Sequence, residues 1–168
     1  MRAHFMQTFK ARRLFSFRVN MDDLLIAKKM LKQSKKTLVF VKYSIPIYET
    51  DIGGLGGFLK AIDELGNKLS GASVADRVVG KAAALLCAHS NVVAAYAITL
   101  SESGLKVLKE NNIPFEFETL IPMILNMKKT GQCPFEKLVG DTSNSDTAYS
   151  QIKQLHNTLK HSTTRPEH

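Results

Sequence analysis

Ser73-Val-Ala-Asp-Arg-Val-Val-Gly-Lys-Ala-Ala-Ala-Leu-Leu-Cys-Ala-His89, followed by Val92-Val-Ala-Ala-Tyr-Ala-Ile-Thr99, is the stretch whose reading decides the fold. Val74, Val78, Ala82, Leu85 and His89 recur at helical spacing and trace one stripe. Ser73-x-x-Asp76 has the form of a capping box, in which the hydroxyl accepts an orphan backbone N–H and the carboxylate reaches back. Together these predict a helix over 74–89. Val92 to Thr99 is an apolar run containing Tyr96, which predicts a buried strand.

Working outward, Ser101 is placed to cap a further helix, with Leu100 and Leu105 spaced as a hydrophobic staple and Leu105, Val107 and Leu108 on its apolar side. Asn111-Asn112 ends it. Ile113 to Glu118 alternates, Phe115 and Phe117 against Glu116 and Glu118, as a strand does. Thr119 reads as the cap of a helix through Ile121, Ile124 and Leu125. Pro134, one residue after Cys133, marks another helix start, with Glu136 in its first turn. Upstream, Asp22 to Lys32 predicts a helix with Leu24, Leu25, Ala27, Met30 and Leu31 as its stripe. Thr37 to Tyr43 and Ile45 to Thr50 read as two strands of a hairpin. Gly53-Gly-Leu-Gly-Gly57 has neither the Gly-Lys-Ser/Thr ending of a P-loop nor the dinucleotide fingerprint, so it reads as a connection. Phe58 to Leu65 is then a helix ended by Gly66. A hairpin followed by helix, strand, helix and strand makes a mixed sheet covered by helices, an α/β three-layer α-β-α domain.

The domain is expected over 21–140. Residues 1–20 hold five basic residues and no acid, and read as a disordered basic arm or as sequence upstream of a start at Met21. Residues 141–168 read as a polar linker and an amphipathic helix carrying Ala148, Ile152, Leu155 and Leu159, with a disordered tail from Ser162. The whole chain of 168 residues carries a net charge of +8, but without the arm 18 basic residues face 15 acidic ones, only +3. That is too little for a general nucleic-acid footprint. No stretch approaches the roughly 18 apolar residues of a membrane span. Two cysteines, Cys87 and Cys133, cannot form a disulfide framework or a four-cysteine metal site, and point to a cytoplasmic protein. Cys87 and His89 resemble a metal pair, but positions i and i+2 of a helix point about 200° apart. His156, His161 and His168 imply no site. No cofactor is expected.

Ala75-Asp-Arg-Val-Val-Gly-Lys-Ala-Ala-Ala84 and Thr130-Gly-Gln-Cys-Pro-Phe-Glu136 resemble a prokaryotic family of unassigned function, the domain of unknown function numbered eighteen ninety-three. The resemblance covers about residues 21–140 and implies a cytidine-deaminase-like fold. Zinc deaminases of that fold place His-x-Glu at one helix start and Pro-Cys-x-x-Cys at the next. Three ligands hold the metal with one position open for water, and the Glu moves protons. Neither the helix start at Asp76-Arg77-Val78 nor the one at Ser101 to Lys106 offers a His or Cys, and Cys133 comes one strand and one helix too late. The resemblance therefore implies the fold without the zinc site.

The function expected is binding of a small, nucleotide-like ligand where the helix starting at Ser73 meets the one starting at Ser101, because open α/β sheets take ligands at strand ends. Asp76, Lys81, Ser101, Glu102, Cys133 and Glu136 are the ligand-binding candidates. Asp76 is set against its alternative role as a cap, Lys81 against snorkelling to the surface, and Glu136 against a charge complementing the helix dipole. Cys133 at a helix start is favoured as thiolate and is the one candidate nucleophile, set against a small buried hydrophobe. Two other readings stand beside this one: a zinc hydrolase with a displaced ligand set around Cys133, and an interaction module using the basic arm or the helix 148–160, the latter as a homo-oligomer contact.

Overall fold

The computed structural model describes residues 21–163. The expectations for the arm 1–20 and for the end of the tail fall outside the described residues.

The chain opens with helix α1 over 21–33. Leu24, Ala27 and Leu31 are buried on one side of it, while Leu25 of the predicted stripe is half exposed. Strands β1 (Leu38–Lys42) and β2 (Ile45–Thr50) form the expected antiparallel hairpin. Its two turn residues, Tyr43 and Ser44, both have positive φ, the geometry of a two-residue turn that matches strand twist. The Asp23 carboxylate accepts both of their amides, at 2.9 and 2.6 Å, and so pins the first turn of α1 to the hairpin tip.

Helix α2 (Leu55–Leu65) follows and leads through a 3-10 turn into β3 (Ser73–Val79), then α3 (Lys81–His89), β4 (Ala94–Ser101), α4 (Glu102–Glu110) and β5 (Phe115–Ile121). The five strands pair in the order β2-β1-β3-β4-β5, with β1 antiparallel to both neighbours and β3, β4 and β5 parallel. One face packs on α1 through Val39, Val41, Ala75, Ala94 and Tyr96. The other carries α2, α3 and α4 over Leu38, Phe40, Val74, Ala95 and Ala97. The architecture is the three-layer α/β mixed sheet expected.

The helix expected over 74–89 is in its first half a strand. The four-residue spacing of Val74 and Val78 fits both periods, because four is also a multiple of two. Val74, Val78 and Val79 are β-branched and stiff at χ1, and β1 and β4 complete the pairing on both sides of the segment. Gly80 then starts a helix of nine residues. Ser73 and Asp76 are therefore not a capping box. Nor does Thr119 cap a helix. Thr119 to Ile121 continue β5, and Pro122 holds the preceding residue extended. Residues 122–133 form a loop, with Leu125 bridged to Gln132.

Helix α5 (Pro134–Leu138) begins where Pro134 predicted. Helix α6 (Ser145–Thr163) lies along α3, burying Ala148 and Ile152 in the main core. His89 at the end of α3 meets Asp146 at 2.7 Å and stacks on Tyr149, centroids 4.2 Å apart. Arg77, on the α1 side of β3, donates to the carbonyls of Leu31, Ser34 and Lys36 and ties off the end of α1.

Candidate functional site

Two βα units lie side by side, β3-α3 and β4-α4, and each helix starts with four backbone N–H groups that lack helical partners. Ser101 caps α4 as expected: its hydroxyl accepts the Gly104 amide at 3.0 Å. Gly80, the residue before α3, has no side chain to do this. The carboxylate of Glu136 does it instead, reaching over from α5. One oxygen accepts the Lys81 amide and the other the Ala82 amide, each at 2.9 Å. Glu136 is 5% exposed. A Cβ on Gly80 would stand 2.5 Å from its Oε1 and 2.7 Å from its Cδ, so the glycine is what admits the carboxylate.

Lys81 closes the same contact from the other side, its ammonium donating to the Gly140 carbonyl at 2.6 Å. The segment 132–143 is thus clamped beside α3 and α4. Between them lies a cleft of about 450 Å³. Leu85 and Val107 line it with apolar surface, and Lys81, Ser103, Lys106 and Glu110 are among its polar residues. Gln132, Asp141 and Thr142 line it from the clamped segment.

Of the six candidates, Lys81 and Glu136 line this cleft and belong to one hydrogen-bonded unit. Ser101 is buried beneath the start of α4, its hydroxyl 3.0 Å from that of Ser103. Glu102 is the exposed first residue of α4. Cys133 is the partly buried residue before α5 and makes no side-chain cap bond. Asp76 stands apart, on β3. Its register partners Leu38 and Ala97 both belong to the core beneath α2 and α3. The meeting place predicted between helices starting at Ser73 and Ser101 is therefore the groove between α3, which starts at Lys81, and α4.

Asp76 accepts the Val78 amide at 3.0 Å. Burial pushes its carboxyl up to about 7, against the pull of the Val78 and Arg77 amides. Burial, and then the Asp76 carboxylate, raise the Cys87 thiol above its ordinary range, so Cys87 is an inert core residue. His156 of α6 rests against Gly56, where a Cβ would stand 3.0 Å from its ring. Burial and the nearby Lys160 hold that imidazole below its usual range.

Ser103, Lys106 and Glu110 are cleft residues outside the six candidates. They recur at i, i+3 and i+7 on the polar side of α4, a signal that was readable. Gln132 and Asp141 could not be placed without knowing where the 132–143 segment folds back.

The zinc chemistry of deaminases needs ligands at helix starts; Cys133 stands before α5, and the first turns of α2, α3 and α4 are Leu55-Gly-Gly-Phe58, Lys81-Ala-Ala-Ala84 and Glu102-Ser-Gly-Leu105. None offers a His or Cys. Among the described residues no three His, Cys, Asp or Glu side chains are grouped to hold a metal ion. The residues do not fit a zinc site of that kind. Among the described residues no helix is long and apolar enough to cross a membrane.

No curated protein matches the chain significantly. A solved structure does: a DUF1893 family protein, TM1506, from Thermotoga maritima, with a TM-score of 0.72 and 27% sequence identity, covering 78% of this chain and 88% of that one. The model of the TM1506 family, a domain of unknown function, matches residues 26–155. The chain belongs to the DUF1893 family.

Proposed function

We propose that this DUF1893 domain has a cytidine-deaminase-like fold without the zinc motif, and that it binds a small, nucleotide-like ligand in the cleft between α3, α4 and the 132–143 segment. The observation that carries the reading is the cleft itself. Its volume lies in the range of small-molecule sites, about 300–1,000 Å³, and its mostly polar lining holds an apolar strip made by Leu85 and Val107. Lys81, Lys106 and Ser103 suit an anionic group. Leu85 and Val107 suit the face of a ring, and Asn111 and Gln132 the donors and acceptors along its edge. The strand order, with an antiparallel hairpin leading into three parallel strands, supports the deaminase-like part of the reading. Glu136 acts in it by position: both its oxygens are engaged by α3 amides, so it holds one wall of the cleft in place.

The test is native mass spectrometry of untagged protein prepared without chelator, followed by denaturation and identification of whatever is released. An organic anion retained by the wild type and lost from Lys81→Ala/Lys106→Ala, with folding intact, is the expected result. Stoichiometric zinc would return the chain to the hydrolase class. Equal retention by the double variant would remove the cleft as the site.

A further inference from the structure

The sheet has two edges, and they are finished differently. The β2 edge carries Pro46, which has no amide to offer, and its pairing with β1 shifts register between Phe40 and Val41. Proline and register breaks of this kind keep an edge from templating another chain. The β5 edge has neither. Its seven residues run without a break to Pro122, and among the described residues no backbone group pairs with its outer side. It is also apolar. Phe117 is 40% exposed and Leu120 43%; in the loop that follows β5, Met123 is 50% exposed, Leu125 46% and Met127 fully exposed.

We infer that β5 is the interface edge of a homodimer, pairing antiparallel with β5 of a second copy across a two-fold axis at Thr119. Two observations favour a second copy over another occupant. At roughly 200 Å² for a large apolar side chain, the five exposures leave about 560 Å² of apolar surface on each copy. The strand edge and polar rim carry that towards the roughly 800 Å² per partner of a standard interface. The charges also allow the strand to face itself. Glu116 and Glu118 are its charged residues, and they are held by Lys28 at 2.8 Å and Lys32 at 2.6 Å. The axis at Thr119 sets Phe117 opposite Ile121 of the second copy, an aromatic pair with a β-branched residue. It sets Glu118 opposite Leu120, whereas an axis one residue earlier would oppose the two Glu118 carboxylates directly. Pairing ends at Pro122 on both sides, so the joint is closed and does not propagate.

The experiment uses the full chain. Light scattering across a concentration series should give a dimer for the wild type. Phe117→Lys/Leu120→Lys, both at exposed positions, should raise the dissociation constant at least about tenfold while the circular dichroism and cooperative unfolding stay as they were. In a Cys133→Ser background, Thr119→Cys should form an intermolecular disulfide on mild oxidation, since residues opposite each other on the axis bring their Cβ atoms within about 5.5 Å. A wild type that remains monomeric at about 100 µM, in the range of weak association, would overturn the inference. So would a dimer untouched by the two lysines, or faster cross-linking through Glu118→Cys than through Thr119→Cys.

Discussion

Helices α3 and α4 start in the same way and are capped in opposite ways. Each follows a parallel strand, each presents its orphan amides at the same end of the sheet, and the two starts touch: a Cβ on Gly104 would stand 3.0 Å from the Gly80 carbonyl. Yet α4 is capped by Ser101, three residues from the amide it serves, and α3 by Glu136, a residue 55 positions from Lys81. A local cap stabilises its helix and nothing else. A distant cap makes the start of α3 depend on where α5 sits, and makes the position of α5 depend on α3. Since α5 and the residues flanking it form one wall of the cleft, the α3 cap is part of the candidate site and the α4 cap is scaffolding.

The largest effect should come from breaking the distant cap. Glu136→Ala leaves two amides at the start of α3 without their charged acceptor and should cost about 3 kcal/mol, read by urea unfolding. Hydrogen exchange should show the 132–143 segment losing protection in the same variant. Gly80→Ala should cost nearly as much, because its Cβ stands where the carboxylate is held. The two losses should not add. With Glu136 gone, the three atoms nearest to a Cβ at position 80 go with it, so the double variant should be about as stable as Glu136→Ala alone, a strong coupling in a double-mutant cycle. Additive losses would mean that Gly80 serves some other purpose, and the account of the long-range cap would fail.

Next in size is the half-buried carboxyl of Asp76 on the strand that feeds α3. Asp76 ordinarily titrates near 3.8 and is pushed up to about 7 by burial. The folded state therefore favours the protonated acid, and the unfolded chain gives up that proton first. The sign follows: the wild type loses stability as pH rises from about 4 to about 7, and the loss is complete above that. Asp76→Asn cannot ionise. Its stability should match that of the wild type near pH 4 and exceed it increasingly up to pH 7 or 8, with the gap approaching about 2 kcal/mol once the carboxyl's partial exposure is allowed for. A constant difference across that range would show that Asp76 titrates normally. The β4 residue beside it, Ala97, carries no such group, so this instability belongs to the β3-α3 unit alone.

The same contrast explains what could be read from the residues. The β4-α4 unit was legible because each of its signals is local: an apolar run, a serine, an amphipathic turn. The β3-α3 unit misled in its first half. Val74 and Val78 satisfy both periods, and Ser73 and Asp76 imitate a cap that belongs in this fold to a residue far along the chain. Pro134 correctly announced α5, and Glu136 was recognised as a first-turn charge, but the dipole it serves is that of α3. In sequence Lys81 and Glu136 are separate candidates, and only the fold of 132–143 makes them one unit. Arg77 was missed for a related reason, since its partners are carbonyl oxygens at the end of α1 that no side-chain pattern records.

The smallest expected effect is on the local cap. Ser101→Ala removes one acceptor from the start of α4, so the cost should be about 1 kcal/mol. Glu102 remains in the first turn and continues to oppose the positive end of the helix. More telling than the size is the reach. Ser101 makes no bond to the 132–143 segment, so hydrogen exchange there should be unchanged in Ser101→Ala while it rises sharply in Glu136→Ala. Should Ser101→Ala also release the segment, the two helix starts would be a single coupled structure, through the contact of Gly104 with Gly80, and the cleft wall would rest on both caps.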